Sequence, residues 1–420
     1  MTSTNTSTVL TLSGTIPGEP GVGGVILNEL KQSVPSDSLK FIPIPSRQVI
    51  DLSWLDHATD LAGHVVRKYE TGWRPVKGIA GEALGWLARK ALFERHCTQL
   101  TQQICATDAA KHCDKIWAIL DCPTVIQIAT GVAKRLNKPL SILVWDAPEL
   151  LVNSLNMDRW SASNMLYRFS KTIQHAESVG VICEQMQTAY MNQFGPKPYV
   201  ILRLGIRRDM WYSPGPLPNS NRIIIGFAGS ITAQQPFRQL IKMLDETNWR
   251  IHNKDVTLRL IGSRYTLDAR QPQRIEYFGW CSLSETVRLL AECHMLYLPQ
   301  PFEANLRPLA ELSFPTKLTT YVAAGRPVLL HAPRYASVTP FLNDYPLGLA
   351  CHSLETDSLR RCAEQLDRLP NESVAAAIDA VRHTEFNDSV FVKRFNQLIG
   401  AASNASGLTS AATKEIEQNA

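Results

Sequence analysis

The chain of 420 residues lacks most of the marks that would assign it quickly. No apolar run reaches the roughly 18 residues that a membrane-spanning helix needs. The opening stretch MTSTNTSTVLTLSG has neither a basic n-region nor a long apolar core, which argues against a secretory signal. Nine cysteines are an odd number and none form C-x-x-C, so reduced thiols in a cytosolic protein are expected. There is no G-K-[ST] of a phosphate-binding loop and no G-x-G-x-x-G followed by an acidic residue, which weakens a nicotinamide-dependent oxidoreductase. Dense basic tracts are missing as well. A net charge of +5 suits an anionic ligand or a membrane surface better than a nucleic acid.

What the chain does have is alternation. VLTLSG, KIWAIL, PLSILVWD, ESVGVIC and PYVILRLGI read as buried strands, the third of them ending on Asp146. Between them lie helical stretches: VILNELKQS, TVIQIATGVAKRLN, SASNMLYRFSKTIQHA and EQMQTAYMNQFG. RRDMWYSPGPLPNSN, with three prolines and a glycine, interrupts the pattern as a linker would. RIIIGFAGS, PFRQLIKMLDE, VTLRLIG, IEYFGW, SETVRLLAEC and HMLYLPQP then resume it. The fold class expected is α/β, with two Rossmann-like, doubly wound domains. Their bounds are a disordered tail over 1–8, a first domain over 9–205, a linker over 206–220 and a second domain over 221–384. A last helix over 385–402 and a small, polar tail over 403–420 complete the chain.

Three stretches can carry chemistry. GTIPGEPGVGGVILNEL places Gly23 and Gly24 between a strand and a helix, either as a ligand-facing loop or as a plain connecting turn. RIIIGFAGS places Gly229 and Ser230 just past the first strand of the second domain, where open α/β sheets bind ligands. SFPTKLTTYVAAGRPVLL, 313–330, predicts a helix that starts near Ser313 or Thr316, with Pro315 in its first turn and Gly325 as its stop. The stretch ANLRPLAELSF before it reads as a loop. Lys317 in the first turn opposes the helix dipole by ~0.3–1 kcal/mol. Either it points into water, or a bound anion reverses the sign; a phosphate site is the reading preferred here.

P-T-K-L-T-T-Y-V-A-A-G-R-P-V-L-L resembles the P-S-K-L-x-E-Y-x-A-A-G-x-P-V segment of GT-B glycosyltransferases, in particular those of family 4. GVGGVILNEL, LSILVWDAPE, ESVGVICEQMQTAYMNQFG, VILRLGI and IIIGFAGSIT resemble further parts of that family in the same order, so the likeness runs over roughly residues 9–400. It implies two domains facing a central cleft, with a nucleotide-sugar donor held by the second. Lys317 would contact the diphosphate, helped by Ser313, Thr316, Gly229 and Ser230, with Gly23 and Gly24 in the first loop. The last helix would return to the first domain. No cofactor or metal is implied, because protein cations and dipoles take the leaving-group charge. Retention of the anomeric configuration is expected from the family likeness alone.

The sequence departs from the family at telling places. Thr320 stands where the family has an acidic residue for the donor ribose. Glu303 and Glu311 have the family's Glu-x7-Glu spacing but are out of register; Glu303 is taken as a catalytic candidate and Glu311 as a substitute donor contact. The Arg and Lys pair after the opening glycine is absent, with only Arg238 nearby. Asp146 either orients the acceptor hydroxyl or serves as a cap or ion-pair partner. His175 and His294 read as satisfied core histidines. Cys97, Cys105 and Cys113 recur at a spacing of eight, which is helical and unlike a zinc site. RKYETGWRPVKG, with Trp54, Trp73 and Trp86 around it, either meets anionic lipid headgroups or is an ordinary exposed loop.

The expected activity is transfer of a sugar to a glycan, lipid-linked or small acceptor in cell-surface polysaccharide or glycoconjugate synthesis. It is expected in the cytoplasm, peripheral to the inner face of the membrane, with no nucleic-acid partner. The alternative is a non-catalytic relative that binds a nucleotide-sugar or glycan beside an active enzyme.

Overall fold

The structure, a computed structural model, describes residues 7–19, 21–35, 38–44, 78–215, 221–262 and 265–400. Residues 67–77 of the expected lipid-facing stretch, with Trp54 and Trp73, lie outside the described residues, as do 1–6, 216–220 and the tail 403–420. The chain divides into two compact units, Met1–Leu202 with Val392–Ala420, and Arg203–Phe391.

The first unit is built on short, apolar strands: β1 (Val9–Ser13), β2 (Leu39–Pro43), β3 (Lys115–Ile119), β4 (Leu140–Leu143), β5 (Ser178–Val181) and β6 (Tyr199–Ile201). They pair in parallel in the order β2-β1-β3-β4-β5-β6. Every residue of β1, β4 and β5 is buried, as expected of strands covered on both faces by helices. Among those helices are Val22–Ser33, Ile79–Ala106, Pro123–Leu136, Arg159–His175 and Glu184–Phe194. The C-terminal helix Asp388–Gly400 begins in the second unit and ends in the first. There Phe395 meets the buried Trp117 edge to face at 4.8 Å between centroids. The hydroxyls of Ser141 and Ser178, buried on neighbouring strands and 2.8 Å apart, both reach the Leu398 carbonyl, at 3.2 and 2.7 Å.

The second unit has strands β7 (Arg222–Ala228), β8 (Arg250–Ile251), β9 (Lys254–Ile261), β10 (Ile275–Gly279), β11 (Met295–Pro299), β12 (Val328–His331) and β13 (Gly348–Cys351). Their order is β10-β9-β7-β11-β12-β13, with β8 antiparallel on β9. Leaving β8 aside, this is the 3-2-1-4-5-6 order of a dinucleotide-binding sheet, with its reversal between β7 and β11. The core on one face is aromatic: Phe237 lies between Phe227 and Tyr297, at centroid distances of 5.0 and 5.7 Å.

Several expectations change. The strand LSILVWD ends at Leu143, so Asp146 is an exposed loop residue and not a strand end. ANLRPLAELSF is not a loop: it holds a 3-10 turn, Ala304–Leu306, and a short helix, Arg307–Leu312, for which Pro308 supplies a first-turn φ. Residues 206–215 pack within the second unit, where Ile206 bridges to Asn387 and the Tyr212 N–H donates to the Ala323 carbonyl. His175 is exposed at the end of its helix rather than in a core, because the apolar face there is carried by Thr172 and Ile173. His294 is partly buried and its Nδ1 accepts the Ile224 N–H at 3.1 Å.

Candidate functional site

In the second unit the reversal between β7 and β11 leaves a crevice at their carboxyl ends, where open α/β sheets hold ligands. Gly229 follows β7 directly, with φ +90, a left-handed backbone that favours glycine. Its N–H donates to the Ile261 carbonyl at 2.8 Å, which pins the turn to the end of β9. Lys317 comes to the same place as the first residue of the helix Lys317–Ala324. A Cβ on Gly229 would stand 3.2 Å from Lys317 Cε and 3.4 Å from its Nζ. So the two predicted residues meet.

The helix is held at both ends. Tyr321, buried one turn into it, accepts the Ala228 N–H at 3.2 Å and donates to the Tyr297 carbonyl at 3.0 Å. That ties the helix to β7 and β11 together. At the other end Gly325 turns the chain with φ +72, and the buried Arg382 guanidinium donates to the Val322 and Ala323 carbonyls, Nη2 at 2.8 and 3.0 Å. A cation on the last carbonyls complements the negative end of the dipole.

At the open end the electrostatics are unbalanced. Lys317 Nζ stands 5.5 Å from the centroid of the Phe227 ring and has no hydrogen-bond or ion-pair partner among the described residues. The side chain keeps some surface, yet the atoms packed around it lower its pKa to about 8, through loss of water alone and with no carboxylate to offset it. Thr316 occupies the N-cap position, but its hydroxyl caps no N–H. The Leu318 and Thr319 N–H groups already donate to the Pro315 and Thr316 carbonyls, at 2.9 and 3.2 Å, so what the helix start offers an anion is the cation and the positive end of the dipole.

Glu303 follows β11 on the same edge. Its Oε1 accepts the Gln235 N–H at 3.3 Å, at the start of the helix Gln234–Glu246. Its Oε2 is buried and has no hydrogen-bond partner. An orphaned carboxylate oxygen is costly, and such groups are concentrated at functional sites. The other predicted residues are less well placed. Glu311 is engaged by Arg307 at 2.8 Å on its own short helix. Ser313 is buried behind the helix start, where its carbonyl accepts the Ser337 hydroxyl. Thr320 is buried on the helix, and Ser230 is exposed beyond Gly229. Tyr321, Phe227 and Arg382 were not anticipated from sequence. The tyrosine and the phenylalanine carried a signal, since they belong to the P-T-K-L-T-T-Y and IIIGFAGSIT segments.

The first unit has its own reversal, between β1 and β3. Asp121, after β3, accepts the Gly14 and Thr15 N–H groups at 3.0 and 2.8 Å and the Ser13 hydroxyl at 3.0 Å, which shapes the loop after β1. Gly23 and Gly24 lie in the first turn of the helix Val22–Ser33, not in the loop. Their need for glycine is steric: a Cβ on Gly24 would come 2.1 Å from the Glu19 carbonyl, and one on Gly23 would come 2.8 Å from both Thr15 and the Trp145 ring. Trp145 in turn precedes the exposed Asp146.

Comparison with solved structures matches nearly the whole chain. The Anabaena protein Alr3699/HepE in complex with UDP is similar at TM-score 0.61 and 15% identity, covering 94% of this chain and 100% of that one. The fold is GT-B. Sucrose-phosphate synthase from Thermosynechococcus elongatus is similar at TM-score 0.64 and 12% identity, covering 95% of this chain and 100% of that one. The lipopolysaccharide outer core galactosyltransferase WaaB in its apo form is similar at TM-score 0.57 and 14% identity, covering 94% and 99%. No protein-family model matches the chain, and no curated protein matches it in sequence. The likeness to GT-B glycosyltransferases is thus one of architecture.

Proposed function

We propose that the chain is a glycosyltransferase that takes its sugar from a nucleotide-sugar donor and binds the donor's diphosphate at Lys317. The observation that carries this reading is the lysine at a helix N-terminus beside Gly229, without a hydrogen-bond or ion-pair partner among the described residues. The structural likeness supports it, since Alr3699/HepE is seen with UDP and with UDP-glucose. In this reading Lys317 and the positive end of the helix dipole neutralise the departing diphosphate, so no metal ion or cofactor is required. Gly229 and Ser230 approach the phosphates through backbone. Glu303 faces the donor sugar, where its Oε2, which has no hydrogen-bond partner, can steady an oxocarbenium-like centre. Asp146 of the first unit orients the acceptor hydroxyl. Transfer proceeds with retention, to a glycan or lipid-linked acceptor in polysaccharide or glycoconjugate synthesis, at the cytoplasmic face of a membrane.

A second reading, a non-catalytic protein that binds a nucleotide-sugar, draws on Thr320. It leaves the ribose without the family's carboxylate, and Glu311 is already paired with Arg307. A panel of UDP- and GDP-sugars, assayed for hydrolysis and for transfer to glycan and lipid-linked acceptors, separates the two. Turnover with any donor supports the enzyme. Tight binding of UDP or GDP with no turnover across the panel supports the second reading.

A further inference from the structure

Cys351 closes β13, and Cys362 lies on the helix Thr356–Arg368, which packs against that strand. Cys351 is buried, 2% exposed, in the core of the second unit, and Cys362 is half-buried at the margin of the same core. The Cys351 thiol donates to the Ser353 carbonyl at 3.3 Å and the Cys362 thiol points to the Ala350 carbonyl at 3.8 Å. Both sulfurs therefore hang on one short stretch, 350–353. They are also in hydrogen-bond contact with each other.

In that contact one proton serves two sulfurs. The Cys362 S–H holds the Cys351 pKa down to about 7, with Arg361 adding to the effect against burial and Glu355. Cys362 itself is raised, first by the same contact. A thiol poised near neutral pH is the best placed to attack in thiol–disulfide exchange. Cys281, half-buried elsewhere in the unit, is raised by burial instead.

We propose that Cys351 and Cys362 form a dithiol site that a small-molecule disulfide converts, reversibly, into an intramolecular disulfide. The shared proton moves to Cys351, and the Cys362 sulfur, the one that solvent reaches, attacks one sulfur of the small disulfide. A mixed disulfide forms at Cys362 as the first small thiolate leaves. Cys351, sealed from solvent but touching Cys362, then attacks the Cys362 sulfur and expels the second small thiolate. The two leaving thiolates take up the two protons of the pair, so two electrons pass to the small disulfide and two small thiols are released. An excess of free thiol runs the exchange backwards. The consequence is mechanical: β13 ends the second sheet, paired with β12 on one side, and the bond staples this edge strand to its covering helix. The site does not depend on which sugar the protein moves.

Oxidised glutathione added to the full chain tests it, with free thiols then blocked by N-ethylmaleimide and the chain cut by trypsin. Arg360 and Arg361 lie between the two cysteines, so trypsin parts them and only a disulfide holds their peptides together. The parent should give that linked pair, two hydrogens lighter than the separate peptides and lost on adding dithiothreitol. Cys351→Ser should stop at a glutathione adduct on Cys362, and Cys362→Ser should leave the buried Cys351 unmodified. Both variants swap sulfur for oxygen at similar volume, and the result on the parent stands without them. In the oxidised parent, amide hydrogen exchange over Gly348–Cys351 should slow about tenfold or more, because an edge strand exchanges by local opening. Separate, alkylated peptides would overturn the proposal, as would a glutathione adduct that persists on Cys362 of the parent or a link from Cys362 to a third cysteine. A bond that forms with β13 exchange unchanged would refute the stapling.

Discussion

The Tyr321 hydroxyl accepts the Ala228 N–H at 3.2 Å, one residue before Gly229 and one helical turn beyond Lys317. This bond sets the distance between the left-handed turn and the lysine that faces it. The same hydroxyl donates to the Tyr297 carbonyl, so one side chain fixes the helix against two strands. Replacing it by phenylalanine leaves a buried N–H and a buried C=O unpaired, at a cost of about 1–3 kcal/mol. Tyr321→Phe should therefore shift the urea midpoint downward and weaken UDP binding as the helix start relaxes. A variant with parental stability and affinity would show that the hydroxyl does not position the lysine.

Lys317→Ala removes the cation at the start of the helix. Charge-assisted hydrogen bonds contribute about 1.5–3 kcal/mol each, so UDP or GDP affinity should fall roughly tenfold to hundredfold by calorimetry. Unchanged affinity would refute the phosphate assignment. In the absence of nucleotide the variant gives up the Phe227 ring contact and the packing of the lysine stem but also relieves a desolvated cation, so its melting temperature should move little.

The same lysine predicts a pH dependence with a definite sign. Burial lowers its pKa to about 8 from the usual 10.5. In the nucleotide-free protein it is cationic below about 8 and loses its proton above, whereas the bound diphosphate needs the proton in place. UDP affinity should thus be flat up to about pH 8 and then weaken with pH, approaching tenfold per unit, with proton uptake on binding. For folding, the unfolded chain holds this proton more tightly than the native one. The residue's contribution to stability therefore rises as pH goes from about 8 to 10.5. Lys317→Ala should flatten both profiles.

Gly229→Ala forces a left-handed φ on a residue with a Cβ, at about 1–2 kcal/mol, and drives that Cβ to 3.2 Å from Lys317 Cε. Stability and UDP affinity should fall together. If calorimetry finds the affinity intact while the melting temperature drops, the turn serves the fold and not the ligand.

Glu303→Gln probes the orphaned carboxylate oxygen. The amide keeps an acceptor for the Gln235 N–H but removes the negative charge. If that charge steadies the reacting centre, kcat should drop by about a hundredfold or more with donor KM little changed. Loss confined to KM would reassign Glu303 to ground-state binding.

What could be read from sequence follows from how local each signal is. The helix over Lys317–Ala324 was legible because Pro315 and Gly325 punctuate it and a buried strand, VLLH, follows. The helix Arg307–Leu312 was not, since six residues with an internal proline hold too little periodicity to stand out from a loop. The strand Gly348–Cys351 was missed because GLAC has none of the β-branched residues that mark its neighbours. Ile79–Ala106 escaped for another reason: Leu84, Leu87 and Leu92 sit on its outer side, which erases the usual contrast between faces. Within the site, the lysine and the glycine are local signals. Their meeting, the Tyr321 clasp and the burial of Glu303 Oε2 are contacts between distant segments, which no spacing rule contains.

The Leu398 carbonyl has a consequence for how the chain is made. It receives the hydroxyls of Ser141 and Ser178 in the middle of the first sheet, and Phe395 covers Trp117 beside them. Synthesis runs from the N-terminus, so β1 to β6 emerge from the ribosome long before the segment that finishes their packing. The first unit is begun first and completed last, and until residue 398 arrives a nascent chain carries a sheet with an uncovered tryptophan. Truncation within the last helix should therefore damage the first unit, the one farther from the cut in sequence.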